Sequence, residues 1–380
     1  MSPHTALKLT YKKDLAMASL FTPYTLKGVT LRNRIVASPM CQYQSCDGML
    51  NEWHQSHYEM LARGGVGLVI VEATAVSPRG RITLGDAGLW SDLQTPGFEE
   101  VAHAIKQYGA VAGLQIGHAG RKAGCTPPWE GGMPLPESAP QAWQPVAPSA
   151  LAYSSDSQHA PTEITLEEIQ RTQNDFASAA RRAAEAGFQW LELHFAHGFL
   201  GQNFLSNSAN ARTDLYGGSL ENRARFLIET VVAVKHAWPA HLPLAVRLGV
   251  VEFGGCAETT FAESIQVLRW LKAAGVDVVD VSLNLTEADE PVPWAANFLV
   301  PYASRVRAQT GMAVGTSWMI SDPLEADAFV RDGQLDLVCF ARTLLANPHW
   351  PFHAARALNV TNPSAVLPTP YAYWLKQWVS

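Results

Sequence analysis

The chain has 380 residues, of which 47% are hydrophobic and 16% charged, so it can bury a large core. Its net charge of -6 and its lack of a Lys/Arg cluster give no electrostatic basis for binding nucleic acid or an anionic membrane. The five cysteines are scattered and odd in number, which excludes a disulfide framework and favours reduced thiols in the cytoplasm. No apolar run is long enough to cross a membrane.

Two terminal segments are expected to lie outside the folded body at 19–366. Residues 1–18 have neither an apolar signal core nor a small-residue cleavage pattern, so we expect a disordered or added extension, with Met17 as an alternative start. The tail at 367–380 is rich in aromatic residues and follows the last predicted element. We expect it to dock on the body of the protein or on a neighbouring subunit.

Between the termini, short apolar runs alternate with segments of helical periodicity eight times. The predicted strands are 34–40, 67–75, 111–117, 190–195, 244–249, 276–282, 312–316 and 335–340. The predicted helices are 54–63, 98–108, 165–186, 220–237, 259–274, 298–310, 323–332 and 350–358. Strands rich in Val, Leu and Ile, each followed by a helix, indicate parallel pairing with both faces covered. Eight such units predict a single α/β domain, a closed (β/α)8 TIM barrel rather than an open sheet.

Three segments interrupt this alternation, each directly after a predicted strand. The longest is 119–164, rich in Pro, Gly, Ser and Trp, and the shorter ones are 284–297 and 342–349. A loop as long as 119–164 inside a compact domain is typically a lid or a wall of a functional site. All three are expected at the carboxyl ends of the strands, where barrel enzymes build their active sites.

Two histidines, His194 and His197, follow the fourth predicted strand on this same face. A pair of neutral imidazoles can donate two hydrogen bonds to one ligand oxygen and thereby polarise a carbonyl or nitro group. The alternative is that one of them is a buried structural histidine. A zinc site would need a third ligand, and no carboxylate or thiolate stands at ligand spacing, so we predict no metal.

Four further polar residues are expected at strand ends on this face. Cys41 follows the first strand and is either part of the site or an inert buried thiol. Arg247, among apolar neighbours in the fifth strand, implies an anionic ligand or an internal carboxylate. Arg342 follows the eighth strand, where barrels commonly bind phosphate, and Gln115 brings an amide from the third. Together they suggest a phosphorylated, polar, planar cofactor.

Five motifs in the same order resemble the Old Yellow Enzyme family of FMN-dependent ene-reductases, within it the thermophilic-like branch that includes the xenobiotic reductases. The motifs are Pro39-Met-Cys41-Gln-Tyr43, Glu72-Ala73-Thr-Ala-Val, Gln115-Ile-Gly-His118-Ala-Gly-Arg-Lys122, His194-x-x-His197-Gly and Asn210-x-Arg212-Thr-Asp214-x-Tyr216-Gly-Gly-Ser219-x-x-Asn222-Arg223. The resemblance runs from about Leu20 to the C-terminus. It implies tightly bound, non-covalent FMN, NAD(P)H as hydride donor, and ping-pong reduction of the activated C=C bond of α,β-unsaturated carbonyl or nitro compounds.

The resemblance also implies roles for individual residues. In the flavin site, Cys41 would tune the potential, Arg247 would face the N1/C2 carbonyl region and Arg342 would bind the phosphate. The full set of implied flavin contacts is Ser38, Pro39, Met40, Cys41, Ala73, Gln115, Arg247, Ala341 and Arg342. The implied catalytic residues are His194, His197, Cys41 and Tyr43, and the implied substrate pocket comprises Tyr43, Phe199, Trp318 and Trp374. Trp374 would reach the site of a partner subunit in a homodimer or homotetramer.

The sequence departs from the family pattern at the substrate and phosphate sites. Phe199 stands where the family usually has the tyrosine expected to protonate the substrate, and a phenyl ring has no proton to give. Water or another hydroxyl, of which Tyr43 is the nearest in the implied site, would then supply the proton. Ala341 and the stretch 317–319 replace family glycines near the phosphate. Two alternatives remain: a flavin-free barrel lyase or isomerase acting on a phosphorylated substrate, and a non-catalytic flavin-binding protein.

Overall fold

The computed structural model describes residues 18–136, 138–154 and 160–378, so the extension expected at 1–18 lies almost wholly outside the described residues. Eight parallel strands close into a barrel, which confirms the predicted fold. Closure is completed by pairing of the last strand with the first, where Val338 stands opposite Ile35. The barrel strands are β1 Ile35–Ala37, β2 Leu68–Ala75, β3 Val111–Gly117, β4 Trp190–Phe195, β5 Leu244–Val251, β6 Val278–Leu283, β7 Ala313–Thr316 and β8 Leu337–Phe340.

Helices follow the strands and cover the outside of the barrel. The principal helices are α1 Glu52–Arg63, α2 Thr95–Lys106, α3 Leu166–Glu185, α4 Leu220–Ala237, α5 Ala257–Ala274, α6 Val300–Thr310, α7 Pro323–Arg331 and α8 Trp350–Ala357. Shorter helices lie at Leu200–Leu205, Arg342–Ala346 and Thr369–Leu375. At the start of α3, the Thr165 and Glu168 side chains cap each other's backbone N–H groups.

An antiparallel hairpin that the sequence analysis did not predict precedes the barrel. Its strands, Tyr24–Leu26 and Val29–Leu31, have three residues each, too few to show a hydrophobic period. Val29 and Leu31 pack against barrel-interior side chains at the amino ends of the strands, among them Trp190. The hairpin therefore closes the amino end of the barrel.

The insertion after β3 is anchored to the barrel by the Arg212 side chain. The Arg212 guanidinium donates to the carbonyls of Pro148, at 3.0 Å, and Ile164, at 2.6 Å. Within the insertion, Arg121 donates to the carbonyl of Ala152 at 3.2 Å, and its guanidinium also donates to the carbonyl of Thr286 in the loop after β6. The described parts of the insertion are thus fixed over the carboxyl end of the barrel, where a wall of the site was expected.

The aromatic tail divides into packed and exposed residues. Trp378 packs on α8 of its own chain, with its ring 4.6 Å from the Arg356 guanidinium and 6.1 Å from the Phe352 ring. Tyr373 and Trp374 are instead 70% and 77% exposed. Within the described part of the chain, no helix combines the length and the apolar character that crossing a membrane would require.

Candidate active site

Two cavities adjoin at the carboxyl end of the barrel. The first, here called the arginine cavity, has a volume of about 400 Å³, and the second, the aromatic cavity, about 520 Å³. His197 and Trp318 line both cavities, so these two side chains form the wall between them. The arginine cavity is also lined by Pro39, Arg247, Ser317, Cys339, Ala341 and Arg342, and the aromatic cavity by Tyr43, Arg121, Lys122, Cys125, Tyr153 and Phe199.

His194 and His197 form a close pair, with His197 in this wall and His194 in a narrow cleft beside it. Their ring centroids are 4.9 Å apart and their planes nearly perpendicular, at 83°. Burial and then the nearby charge of Arg247 hold the pKa of both imidazoles well below the usual value. Both rings are therefore neutral at physiological pH, and each carries a single N–H.

Hydrogen bonds determine which nitrogen of each ring carries that proton. In His194, Nδ1 accepts from the backbone N–H of Ala196 at 3.3 Å, so Nε2 must carry the hydrogen. The indole of Trp318 can only donate, and it donates to Ser282 Oγ at 3.2 Å. Among the described residues, His197 Nε2, 2.7 Å away, is the one remaining partner of this fully buried hydroxyl. We therefore assign the serine proton to Nε2, which leaves the hydrogen of His197 on Nδ1. Each ring thus keeps one N–H that is not engaged by these contacts.

A left-handed turn fixes the position of the second histidine. The consecutive residues His197 and Gly198 have φ angles of 59° and 68°, in a region of backbone conformation that residues other than glycine rarely adopt. A Cβ on Gly198 would lie 2.3 Å from the carbonyl oxygen of Leu285. Lys122 Nζ ties the same turn down by donating to the carbonyls of His197, at 2.7 Å, and Leu285, at 2.9 Å.

Charged groups from three strands meet inside the barrel beneath the arginine cavity. Arg247 Nε lies 3.1 Å from Asp280 Oδ2 in a fully buried ion pair, and Arg247 Nη2 donates to Ser317 Oγ at 3.3 Å. Burial raises the pKa of both Asp280 and Glu192, while Arg247 opposes that shift. Because Asp280 is the carboxylate in contact with Arg247, we expect it to stay ionised while Glu192 holds a proton. The Gln115 amide nitrogen donates to Glu192 at 2.7 Å, which leaves the Gln115 carbonyl as an acceptor.

Cys41 and Tyr43 lie where the chain leaves β1. The Tyr43 hydroxyl bonds to the Cys41 thiol. Burial, followed by the neighbouring carboxyl of Glu72, raises the pKa of the Cys41 thiol. Cys41 is therefore a neutral thiol at physiological pH, unsuited to nucleophilic attack. Glu72 accepts from the backbone N–H of Gln42 at 2.8 Å and from the Tyr58 hydroxyl at 2.9 Å, and burial raises its pKa to about 8.

Of the remaining residues predicted from the sequence to belong to the site, three lie in or near it and Trp374 does not. Ser38 is buried with its hydroxyl unpartnered, and Met40 is half-buried against the core. Ala73 lines a narrow cleft with His194 and Phe199. Trp374, in contrast, lies on the exposed tail helix and lines neither cavity of its own chain.

Four residues of the site were not assigned a role from sequence. Lys122 is the last residue of the motif that begins at Gln115. Ser282 and Glu192 are polar residues on predicted strands, which is a sign of a functional role inside a barrel. Tyr153 lies in the insertion and carried no such signal, since its place in the aromatic cavity depends on how that loop folds.

The donors and acceptors around the arginine cavity suit a phosphorylated planar cofactor. Arg342 offers a cation for a phosphate, and Arg247 offers a second, buried guanidinium, which is paired with Asp280 and also lines the cavity. The Ser38 hydroxyl and the Gln115 carbonyl are polar groups available to the edge of a ring system. Fold and site together therefore define a barrel enzyme with a cavity suited to a phosphorylated planar cofactor. Among the described residues, no group of three or more His, Cys, Asp or Glu side chains is placed to hold a metal ion.

The chain belongs to the NADH:flavin oxidoreductase / NADH oxidase family, whose model matches residues 19–361. It is 41% identical over 350 residues to an NADPH dehydrogenase of Geobacillus sp. (strain WCH70), covering 91% of this chain and 96% of the relative. An NADPH dehydrogenase of Bacillus subtilis (strain 168) is 42% identical over 350 residues, covering 91% and 97%. Among solved structures, a morphinone reductase matches with a TM-score of 0.77 and 28% identity, covering 90% of this chain and 91% of that one.

These matches confirm the resemblance to the Old Yellow Enzyme family. The protein is an FMN-dependent oxidoreductase that takes its hydride from NAD(P)H. The flavin-free lyase or isomerase and the non-catalytic flavin carrier are accordingly set aside.

Proposed function

We propose that this protein is an ene-reductase that reduces the activated C=C bond of α,β-unsaturated carbonyl or nitro compounds by a ping-pong mechanism. The observation that carries the proposal is the His194/His197 pair. Two neutral imidazoles, with ring centroids 4.9 Å apart, each retain one N–H donor; His197 lies in the wall between the two cavities and His194 in the narrow cleft beside it. Two such donors suit one carbonyl or nitro oxygen.

The arginine cavity is proposed to hold the FMN. Arg342 would bind the phosphate, and Arg247 would face the N1/C2 carbonyl region, where a cation favours the reduced flavin. Gln115 and Ala73 would hold the pyrimidine side, with Ser38, Pro39, Met40, Cys41 and Ala341 lining the rest. When bound, FMN supplies the hydride chemistry, and the protein contributes binding, orientation and electrostatics.

The histidine pair is proposed to activate the substrate. His194 Nε2–H and His197 Nδ1–H would bind the substrate oxygen and withdraw electron density from the β-carbon, which makes that carbon a hydride acceptor. Removal of one preorganised donor of this kind typically lowers turnover by about 10² to 10³. Tyr43, Phe199 and Trp318 would form apolar walls that keep the conjugated substrate flat, and Trp374 of a partner subunit is proposed to complete the pocket.

The contact between the two cavities supports a ping-pong mechanism, in which NAD(P)H and the enone bind in turn. The aromatic cavity adjoins the arginine cavity at His197 and Trp318, and a nicotinamide and an enone would both need that position. One ligand must then leave before the other enters.

Anaerobic half-reactions test this function. NADPH should bleach the flavin absorbance of the purified protein, and cyclohexenone added afterwards should restore it with stoichiometric formation of cyclohexanone. A protein that is bleached but not re-oxidised by enones or nitroalkenes would contradict the ene-reductase assignment, although it would still be a flavin oxidoreductase.

A further inference from the structure

Hydride addition to the β-carbon completes only half of the reduction. It leaves an electron pair on the α-carbon, in an enolate whose oxygen the histidine pair would hold, and a proton must then reach that carbon. Phe199 packs against the histidine pair, with its ring 4.8 Å from that of His194, but has no proton to give. The donor must therefore be another group at the aromatic cavity.

On the basis of the proposed ene-reductase function, we infer that Lys122 delivers this proton. The Nζ–H bond breaks with its electron pair remaining on nitrogen, and the enolate pair forms the new Cα–H bond. Water then returns a proton to the neutral amine. No reactant is needed beyond the hydride donor and the enone.

Lys122 is positioned for this step. Its Nζ lies 5.9 Å from the centroid of the Phe199 ring and 2.7 Å from the backbone oxygen of His197, so it stands beside the histidine pair in the aromatic cavity. Two of its N–H groups are used by the carbonyls of His197 and Leu285, which leaves one. The Tyr153 ring covers Nζ at 4.1 Å and stabilises the charged, proton-bearing form.

The other acidic groups of the cavity are poorer donors. The Tyr43 hydroxyl bonds to the Cys41 thiol, and burial raises the pKa of Tyr43. The Tyr153 hydroxyl donates to the carbonyl of Glu287 at 3.3 Å, and burial raises the pKa of Tyr153 as well. Burial likewise raises the pKa of Cys125, while the guanidinium of Arg121 is too weak an acid at neutral pH.

The environment of Lys122 gives it an acid strength suited to proton transfer. Burial, and then the charge of Arg121, lowers the pKa of Lys122 to about 7. Glu287, Glu290 and Cys125 face the amine and oppose this shift. A group that is about half protonated at working pH is an effective general acid, typically worth about 10² to 10⁴ in rate.

The test uses the FMN-loaded protein and measures the two half-reactions separately. In Lys122→Met, re-oxidation by cyclohexenone should fall by about 10² or more, while bleaching by NADPH, which requires no proton at the α-carbon, should fall by a much smaller factor. Lys272→Met is the matched control, because Lys272 Nζ also donates to two carbonyls, those of Thr310 and Gly311, but far from the site. Re-oxidation of Lys122→Met at the parental rate would overturn the inference.

A second variant separates loss of the donor from damage to the site. Phe199 lines both the aromatic cavity and the narrow cleft beside His194, so the hydroxyl added in Phe199→Tyr would offer another proton donor, and Lys122→Met/Phe199→Tyr should recover re-oxidation. Failure to recover would mean that the loss in Lys122→Met is structural. If the parent itself is not re-oxidised by any enone, the proposed function fails rather than the role of Lys122.

A third measurement does not depend on turnover. Lysine labelled with ¹³C at Cε should show one resonance that is missing in Lys122→Met and that titrates near pH 7. Titration of that resonance only above about pH 9, as for an ordinary lysine, would overturn the inference.

Discussion

Ser282 Oγ lies 2.7 Å from Nε2 of His197, and the direction of this hydrogen bond is determined by a third residue. Since the Trp318 indole can only donate, His197 Nε2 is the one acceptor that the described residues offer to the fully buried serine proton. The opposite tautomer of His197 would present a lone pair to the substrate oxygen and repel it. Ser282 therefore acts as a positioning residue for the proposed oxygen-binding pair.

Removing this hydroxyl should weaken oxygen binding without changing the flavin. In Ser282→Ala, we expect the affinity for a para-substituted phenol to fall by roughly 1 to 2 kcal/mol, because His197 is no longer restricted to one tautomer. The affinity is measured by adding the phenol to the FMN-loaded protein and following the change in the absorption spectrum of the flavin. Ser364→Ala, at a buried serine remote from both cavities, is the control, and equal phenol affinity in both variants would contradict the prediction.

Loss of the first histidine should affect substrate and not cofactor. We expect His194→Ala to keep its yellow colour and its bleaching by NADPH, but to reduce enones about 10² to 10³ more slowly because one donor to the developing oxyanion is missing. Stopped-flow absorbance resolves the two steps. Parental enone reduction and phenol binding in this variant would show that His194 does not bind the oxygen.

The two arginines should differ in what they recognise. We expect Arg342→Ala to weaken FMN binding by about tenfold or more while leaving riboflavin binding unchanged, because only FMN carries a phosphate. Arg247→Ala should weaken both ligands, since Arg247 is proposed to face the ring system and its loss leaves Asp280 buried without a partner. Fluorescence titration of the deflavinated protein distinguishes these outcomes, and an equal loss of both ligands in Arg342→Ala would argue against the phosphate role.

Buried neutral histidines should make the fold sensitive to acid. Burial, followed by the charge of Arg79, lowers the pKa of His118 to about 3. As pH falls from about 6.5 towards 3, the unfolded chain takes up a proton that folded His118 refuses, so stability falls by about 1.4 kcal/mol per pH unit.

His118→Gln should therefore be less stable than the parent at pH 8, where it loses the bond that His118 accepts from the Gly120 N–H, but the difference should narrow below pH 6.5. Urea unfolding at pH 8, 6 and 5 with saturating FMN measures it. A difference that is constant across this range would contradict a depressed pKa for His118.

The exposed tail should matter only in an assembly. Trp374 is 77% exposed and is expected to reach the substrate site of a partner subunit. Trp374→Ala should then raise KM for a cyclic enone several-fold, with flavin content unchanged. Light scattering reports the oligomer, and a strictly monomeric parent, or an unchanged KM, would exclude this role.

Much of the fold could be predicted because the hydrophobic pattern repeats. Eight apolar runs marked the barrel strands. Three of the predicted helices are directly followed by a glycine with a positive φ angle, as is common at helix ends: Gly187, Gly275 and Gly333. The first strand was predicted too long, at 34–40, because the pairing ends at Ala37, just before Pro39, which has no N–H to give the sheet. Pro39 and Met40 extend the apolar run beyond the last paired residue, and Pro39 lines the arginine cavity instead of pairing in the sheet.

The site was only partly predictable. The spacing of His194 and His197 after a predicted strand indicated a pair of hydrogen-bond donors. Arg247 was recognisable as a cation among apolar neighbours, and Arg342 by its position after the eighth strand. The contact between Trp318 and Ser282 joins the loop after β7 to strand β6, and the place of Tyr153 depends on the fold of the insertion. Local sequence patterns do not specify such contacts.

The left-handed turn at His197 and Gly198 has a consequence for how this protein could acquire new substrates. Because a Cβ on Gly198 would meet the Leu285 carbonyl at 2.3 Å, saturation mutagenesis there should return almost only glycine among active clones. The insertion that walls the aromatic cavity is not constrained in this way. Diversity introduced at Met133 or Tyr153 should change which ring systems are accepted while the oxygen-binding pair stays intact, so evolvability in this enzyme is concentrated on one side of the pocket.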